Sequence, residues 1–279
     1  MNKFQRAGTL RSIQISDIRV SYVPDGAVKM VPRFLFPGTS DGDWIENAGF
    51  LDSSGWLTIS SGGLLIERGQ RAVLVDAGFG PYPEPVSRLE YGMAQMYGGA
   101  LLDNLNALGR RPGDVEAIAI THLHVEHVGW AANPAFAHAA CLLSQTEWET
   151  RKAEYGVTED VLAAIAPRFR PIADGEEILP GVSALALPGH TPGQMGFEVV
   201  SGGERLVAFA DVLHSPVQVT HPDWVLAGDL VPEKSAAMRR TILTRLADQQ
   251  TLGFGIHFAD AGFGMVRRTG TEFTWEALS

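Results

Sequence analysis

The chain has 279 residues, 45% apolar and 19% charged, with 22 Lys and Arg against 32 Asp and Glu. Its formal charge of −10 gives no general attraction to phosphate backbones or anionic lipid, which argues against nucleic acid or a membrane as partner. The single cysteine, Cys141, cannot form an internal disulfide or a Cys-rich metal site, so any metal falls to His and carboxylates. The N-terminus lacks the apolar run of a signal peptide, and no stretch approaches the ~18 apolar residues of a membrane span. A soluble cytoplasmic protein is the expectation.

Turn residues cluster at Asp41-Gly42-Asp43, Pro81 to Pro85 and Pro188 to Gly193, but composition does not shift across them. Residues 1–279 therefore read as one domain. Gly63 to Glu67 and Ala72 to Asp76 flank Arg68-Gly69-Gln70-Arg71 as a hairpin. Ala100 to Leu108 carries a helical apolar stripe that Gly109 ends. Glu116 to Thr121 reads as a buried strand, and Ser144 to Tyr155 and Thr158 to Ile165 as helices. Val182 to Leu187, Gly196 to Val200 and Leu206 to Ala210 read as strands. Glu233 to Gln249 reads as a long helix with Pro232 at its start. Gly63 to Asp76 and Gly196 to Asp211 follow one pattern: Gly, strand, Gly-bearing turn, Arg, apolar strand, Asp. The pattern fits either two ordinary hairpins or a duplicated sheet unit with each Asp facing a shared cleft. Alternating strands and helices predict an α/β sandwich.

Thr121-His122-Leu123-His124-Val125-Glu126-His127 holds three of the eight histidines and a carboxylate directly after a predicted buried strand. His122 and His124, at i and i+2, point the same way as that strand ends, and Glu126 and His127 project from the next turn. Neutral imidazoles with a charged oxygen suit zinc, iron or manganese. Four further residues stand in matching settings. Asp76 and Asp211 end apolar strands, His190 sits in the turn Pro188-Gly189-His190-Thr191-Pro192-Gly193, and His257 follows the apolar Leu252 to Ile256.

In this order, Asp76, His122-x-His124-x-Glu126-His127, His190, Asp211 and His257 resemble the five motifs of the metallo-β-lactamase superfamily, from about Leu65 to Phe258. The resemblance implies a four-layer αβ/βα sandwich with a dinuclear site at one edge of two sheets. It implies that His122, His124 and His190 hold one metal and Glu126, His127 and His257 the other. Asp211 bridges the two, and Asp76 accepts an imidazole N–H and fixes its tautomer. Asp211 and Asp76 are thereby the catalytic carboxylates, and the cofactors are two divalent ions, zinc first, with iron or manganese as alternatives. Asp211-Val-Leu-His214-Ser-Pro-Val-Gln218 and His221-Pro-Asp-Trp224 look most like the methyl parathion hydrolase and lactonase branch. The family usually has Asp at the position of Glu126. The extra methylene moves the carboxylate by about 1.5 Å if the backbone stays put, so Glu126 must readjust its rotamer, shift the second metal or release it.

The implied function is hydrolysis of a small neutral ester, lactone or phosphotriester by a metal-bound hydroxide. The alternatives are a ligand-binding sensor with a partly emptied site and an iron-dependent oxidoreductase. Outside the motifs, Cys141 in an apolar run reads as a buried inert thiol and His138 as structural. His214 and His221 are candidates for substrate contact or for turn roles. Trp130 is a candidate pocket border. Tyr91 to Tyr97, with Met93 and Met96, reads as helix packing, a pocket wall or a homodimer contact.

Overall fold

The computed structural model describes residues 2–82, 85–151 and 156–278. In chain order its first half holds β1 (Arg11–Ile15), β2 (Ile18–Met30), α1 (Pro32–Leu35), α2 (Asp41–Glu46), β3 (Leu57–Arg68), β4 (Arg71–Val75), β5 (Val86–Arg88) and β6 (Met93–Tyr97). Next come α3 (Leu101–Ala107), β7 (Ala117–Ala119), α4 (Val125–Val128), β8 (Ala140–Ser144), α5 (Gln145–Thr150), α6 (Glu159–Ile165) and β9 (Phe169–Ile172). The second half holds β10 (Glu177–Leu179), β11 (Val182–Ala186), β12 (Met195–Ser201), β13 (Glu204–Ala208), α7 (Val217–Thr220), α8 (Pro232–Asp248), β14 (Leu252–Phe254), β15 (Phe263–Thr269) and β16 (Glu272–Ala277).

Period-2 alternation sets the layers. Leu64, Ile66, Val73 and Val75 point inward and meet Phe197, Val199, Leu206 and Ala208 of the other sheet. The residues between them point outward: Leu65, Ala72 and Leu74 pack under Leu101 and Leu105 of α3 and Leu162 and Ile165 of α6. Val207 and Phe209 pack under Ile242, Leu243 and Leu246 of α8. Strands covered on both faces need apolar residues at every position, which is why these runs show no polar alternation. The result is helix, sheet, sheet, helix. One sheet runs β5-β6-β2-β3-β4-β7-β8-β9 with β1 also on β2; the other runs β10 to β16 in sequence order.

The two sheets share a unit. β3 pairs antiparallel with β4, and β4 lies parallel to β7. In the same way β12 pairs antiparallel with β13, and β13 lies parallel to β14. The carboxyl ends of β4, β7, β13 and β14 therefore open at one edge, where loops are free to carry chemistry.

Most expected elements form, with shifted ends. Ser144 and Thr158 sit outside their helices as N-caps, accepting from the amides of Glu147 and Val161. The helix expected to Tyr155 is described to Thr150; residues 152–155 lie outside the described residues, as do residues 83 and 84 of the Pro81 to Pro85 turn. The strand expected to Ala210 ends at Ala208, and Ala210 turns with φ +48°. Met93 to Tyr97, considered as helix, is a strand paired with β2 and β5, with Met93 and Met96 packed beside Phe36, Trp44 and Phe79; the side chain of Tyr91 lies outside the described residues. No helix among the described residues is long and apolar enough to cross a membrane.

Candidate metal centre

Each strand end at that open edge contributes a side chain, or a segment of them, to one buried cluster. β4 leads into Asp76, held at φ +59°. β7 leads into Thr121 and the His122–His127 segment. β13 leads through Ala210 into Asp211, and β14 leads into His257. A left-handed backbone at a non-glycine residue costs roughly 1–3 kcal/mol. Both halves of the fold carry that strain at or just before an aspartate. The His190 turn precedes β12, which is antiparallel to β13, so it arrives at the same edge.

The tautomers are set by a connected chain of hydrogen bonds. His127 Nδ1 donates to Asp76 Oδ2 at 2.9 Å. Thr121 Oγ1 donates to the same Oδ2 at 3.0 Å and accepts from His122 Nδ1 at 3.0 Å. The Thr121 amide donates to Asp76 Oδ1 at 2.9 Å. Asp76 thus orients His127 directly and His122 through one hydroxyl. His190 Nδ1 donates to Asp229 Oδ1 at 3.2 Å, and His257 Nδ1 donates to the Ser60 carbonyl at 2.7 Å. The opposite nitrogens of these rings are left facing one point.

That point is Asp211. Its Oδ2 lies 3.6 Å from His122 Nε2, 3.4 Å from His127 Nε2, 3.6 Å from His190 Nε2 and 3.2 Å from His257 Nε2. His190 Nε2 is 3.2 Å from His124 Nδ1. A tetrahedral zinc with 2.0–2.1 Å bonds separates its ligand atoms by about 3.4 Å, so these spacings fit a cation. His122 Nε2 and His127 Nε2 are buried and make no hydrogen bond. The His122 ring is held neutral by burial, so its bare lone pair faces a buried carboxylate and is repelled by it, and a cation between them removes that cost. Two groups have ligand atoms within 4.8 Å of one another: His122, His124, His190 and Asp211; and Glu126, His127, Asp211 and His257. Every metal position expected from the sequence falls in one of them, Glu126 included, and Asp211 belongs to both.

Protons compete for the same atoms. Burial and neighbouring imidazoles hold His122 and His124 well below the ordinary histidine range. Burial opposes charge on His127 too, but Asp211 and Asp76 outweigh it and raise its pKa well above that range. Burial likewise resists ionisation of Asp211, and His257, His127 and His214 overcome it, keeping the carboxyl well below its usual range.

The remaining candidates separate cleanly. His214 is buried with Nε2 2.9 Å from Asp211 Oδ2, and burial lowers its pKa to about 4. His221 stacks on Trp224 at 4.3 Å, away from this cluster, with Nε2 3.3 Å from Asn47 Oδ1. His138 Nε2 donates to the Val115 carbonyl, and Cys141 is buried in β8. Trp130 donates to Asp25, a buried carboxylate in the β2 bulge that also accepts from the amides of Gly80, Gly99 and Leu101. Sequence reasoning missed the supporting carboxylates: Asp229, paired at 3.5 Å with the fully buried Arg239, and Glu147. Glu147 had a legible signal, the helix-start pattern Ser144-x-x-Glu147; Asp229 lies in a loop and had none.

Similarity to known proteins follows the same lines. An N-acyl homoserine lactonase of Bacillus thuringiensis is 33% identical over 95 residues, 33% of this chain and 36% of that protein, so the chain aligns with about a third of the length of the curated relatives it matches. The hydrolase AbOPH of the beta lactamase superfamily superposes with a TM-score of 0.84 at 24% identity, covering 99% of both chains. AidC, a dizinc quorum-quenching lactonase in complex with a product, superposes with a TM-score of 0.83 at 22% identity, covering 98% of both. These two likenesses establish the fold. The sequence profile of the Metallo-beta-lactamase superfamily matches residues 63–249, the stretch that carries Asp76, the His122–His127 segment, His190 and Asp211, and the chain belongs to that superfamily.

Proposed function

We propose that the protein is a metal-dependent hydrolase of a small neutral lactone, with esters and phosphotriesters of similar size as further substrates, working at a dinuclear centre. The observation that carries this reading is that Asp211 is common to both groups of possible ligands, so that one carboxylate would serve two cations. Support for a lactone comes from the curated lactonases among the relatives and from the AidC likeness. His122, His124, His190 and Asp211 would hold one ion, and Glu126, His127, His257 and Asp211 the other. Two bound divalent ions, zinc first, supply an activated water and polarise the carbonyl or phosphoryl oxygen.

The chain's own residues do the rest. Asp76 and Asp229 keep their imidazoles in the tautomer that leaves the other nitrogen free to ligate. Asp211, kept ionised by the imidazoles around it, would accept a hydrogen bond from the attacking water and orient it, and the proton that water gives up would end on the leaving oxygen as the ring C–O bond breaks. His214 Nε2 donates to Asp211 Oδ2 and holds that carboxylate in place. The sensor reading needed Glu126 to be too long to bind, and the presence of its carboxylate oxygen within 4.8 Å of the second group's other ligand atoms counts against it. The test is metal analysis of the purified protein followed by turnover of an N-acyl homoserine lactone, an aryl ester and a phosphotriester. Two zinc ions with lactone opening are expected. Bound iron with no hydrolysis of any of the three would overturn the proposal.

A further inference from the structure

The side chain of Glu147 leaves its own helix to join two loops. Ser144 caps α5 by accepting from the Glu147 amide at 3.0 Å, the first half of a capping box. In the usual box the carboxylate at this third helical position returns to the N-cap amide. α2 does so: Asp43 Oδ2 accepts from the Ser40 amide at 2.7 Å. Glu147 instead spends both oxygens on distant segments. Its Oε1 accepts from the Leu123 amide at 3.0 Å. Its Oε2 accepts from Thr191 Oγ1 at 2.7 Å and from the Gly193 amide at 3.1 Å. Leu123 stands between His122 and His124, and Thr191 follows His190. The Ser144 hydroxyl adds a bond to the Gly193 carbonyl at 2.7 Å. Contact is so close that a Cβ on Gly193 would lie 2.2 Å from the Glu147 amide nitrogen, so only glycine fits. Glu147 is 2% exposed, and three donors from two loops satisfy its charge.

We infer that Glu147 is a positioning residue that locks the His122–His124 loop to the His190 turn, so that the three imidazoles of the first ligand group assemble as one unit. This rests on the proposal that those imidazoles hold a metal. Replacing Glu147 with Gln keeps the shape, but the new amide presents N–H to a partner that is itself a donor, so one loop must release. Loss of a residue supporting metal ligands typically costs 10–100-fold in affinity.

The test is zinc titration of metal-stripped protein against a competing chelator, in two backgrounds. His257→Ala leaves the first ligand group as the complete set, and there Glu147→Gln should weaken zinc binding about 10–100-fold. His190→Ala breaks that group, and there Glu147→Gln should change nothing measurable. Thr191→Val, which removes one of the three donors, should weaken the first group in the same direction by less, and it carries the test if Glu147→Gln does not fold. Equal losses in both backgrounds, or no loss in the first, would overturn the inference. If the unmutated protein takes up no zinc, the metal reading fails, and amide exchange of the metal-free protein decides on Glu147. Faster exchange at Leu123 and Gly193 in Glu147→Gln supports the lock, and unchanged exchange overturns it.

Discussion

The two ligand groups share Asp211 yet are built to different standards. The first has three imidazoles on two loops, with His122 oriented through Thr121 and His190 by Asp229. The second has two imidazoles, oriented by Asp76 and the Ser60 carbonyl, and depends for its remaining charge on Glu126, which is only partly buried. Glu126 has an extra rotatable bond where the family usually has Asp, and its backbone carbonyl is what is anchored, by Ser61 Oγ at 3.0 Å. Ring donors with few rotatable bonds, two of the three held by buried partners, bind with little reorganisation; a group that recruits a longer side chain orders it on binding. The first group should therefore be the tighter one.

The strongest way to break the comparison is Asp211→Ala, which removes the shared carboxylate. Both metals and all turnover should be lost, as read by metal analysis of folded protein; one tightly retained zinc would show that the groups are independent. His124→Ala comes next and should remove the first metal and hydrolysis, and full metal content in that variant would refute the ligand set. Glu126→Ala should empty only the second group, with hydrolysis falling in step, while Glu126→Asp keeps two metals. Identical stoichiometry and activity in all three proteins would mean that Glu126 is no ligand. Asp76→Asn should weaken both groups by about 10–100-fold without unfolding the chain, because Asp76 reaches His127 directly and His122 through Thr121. An effect confined to the second group would show that the Thr121 relay is idle. Asp229→Asn should give the smallest change, about 10-fold and in the first group alone, measured by zinc competition.

The histidine string and the strand-end aspartates were legible because ligand chemistry is written in residue type and local spacing. His122, His124 and His127 lie within six residues, and the apolar runs of β4 and β13 lead directly, or within three residues, to Asp76 and Asp211. The N-terminal strands β1 and β2 were not read, because Asp25 and Gly26 interrupt β2 at its bulge and break the apolar run that marks a buried strand. The strand β6 was read as a helix candidate because Met93 and Met96, three apart, fit a helical face as well as they fit an edge strand packed on the Phe36 and Trp44 cluster.

From the sequence alone came the donor types, their order and the hairpin units that end in aspartate, since these are set by neighbours along the chain. Tertiary structure decided which of the eight histidines converge. His214 joins the cluster and His221 stacks on Trp224, although they stand seven positions apart in similar surroundings. It also decided which buried carboxylates reach the imidazoles and the loops that carry them. Asp229 meets His190 across 39 residues, and Glu147 meets Leu123 across 24 and Thr191 across 44. Hydrogen bonds over such separations exist only once the sheets have packed and brought the loops together, so no local pattern announces them.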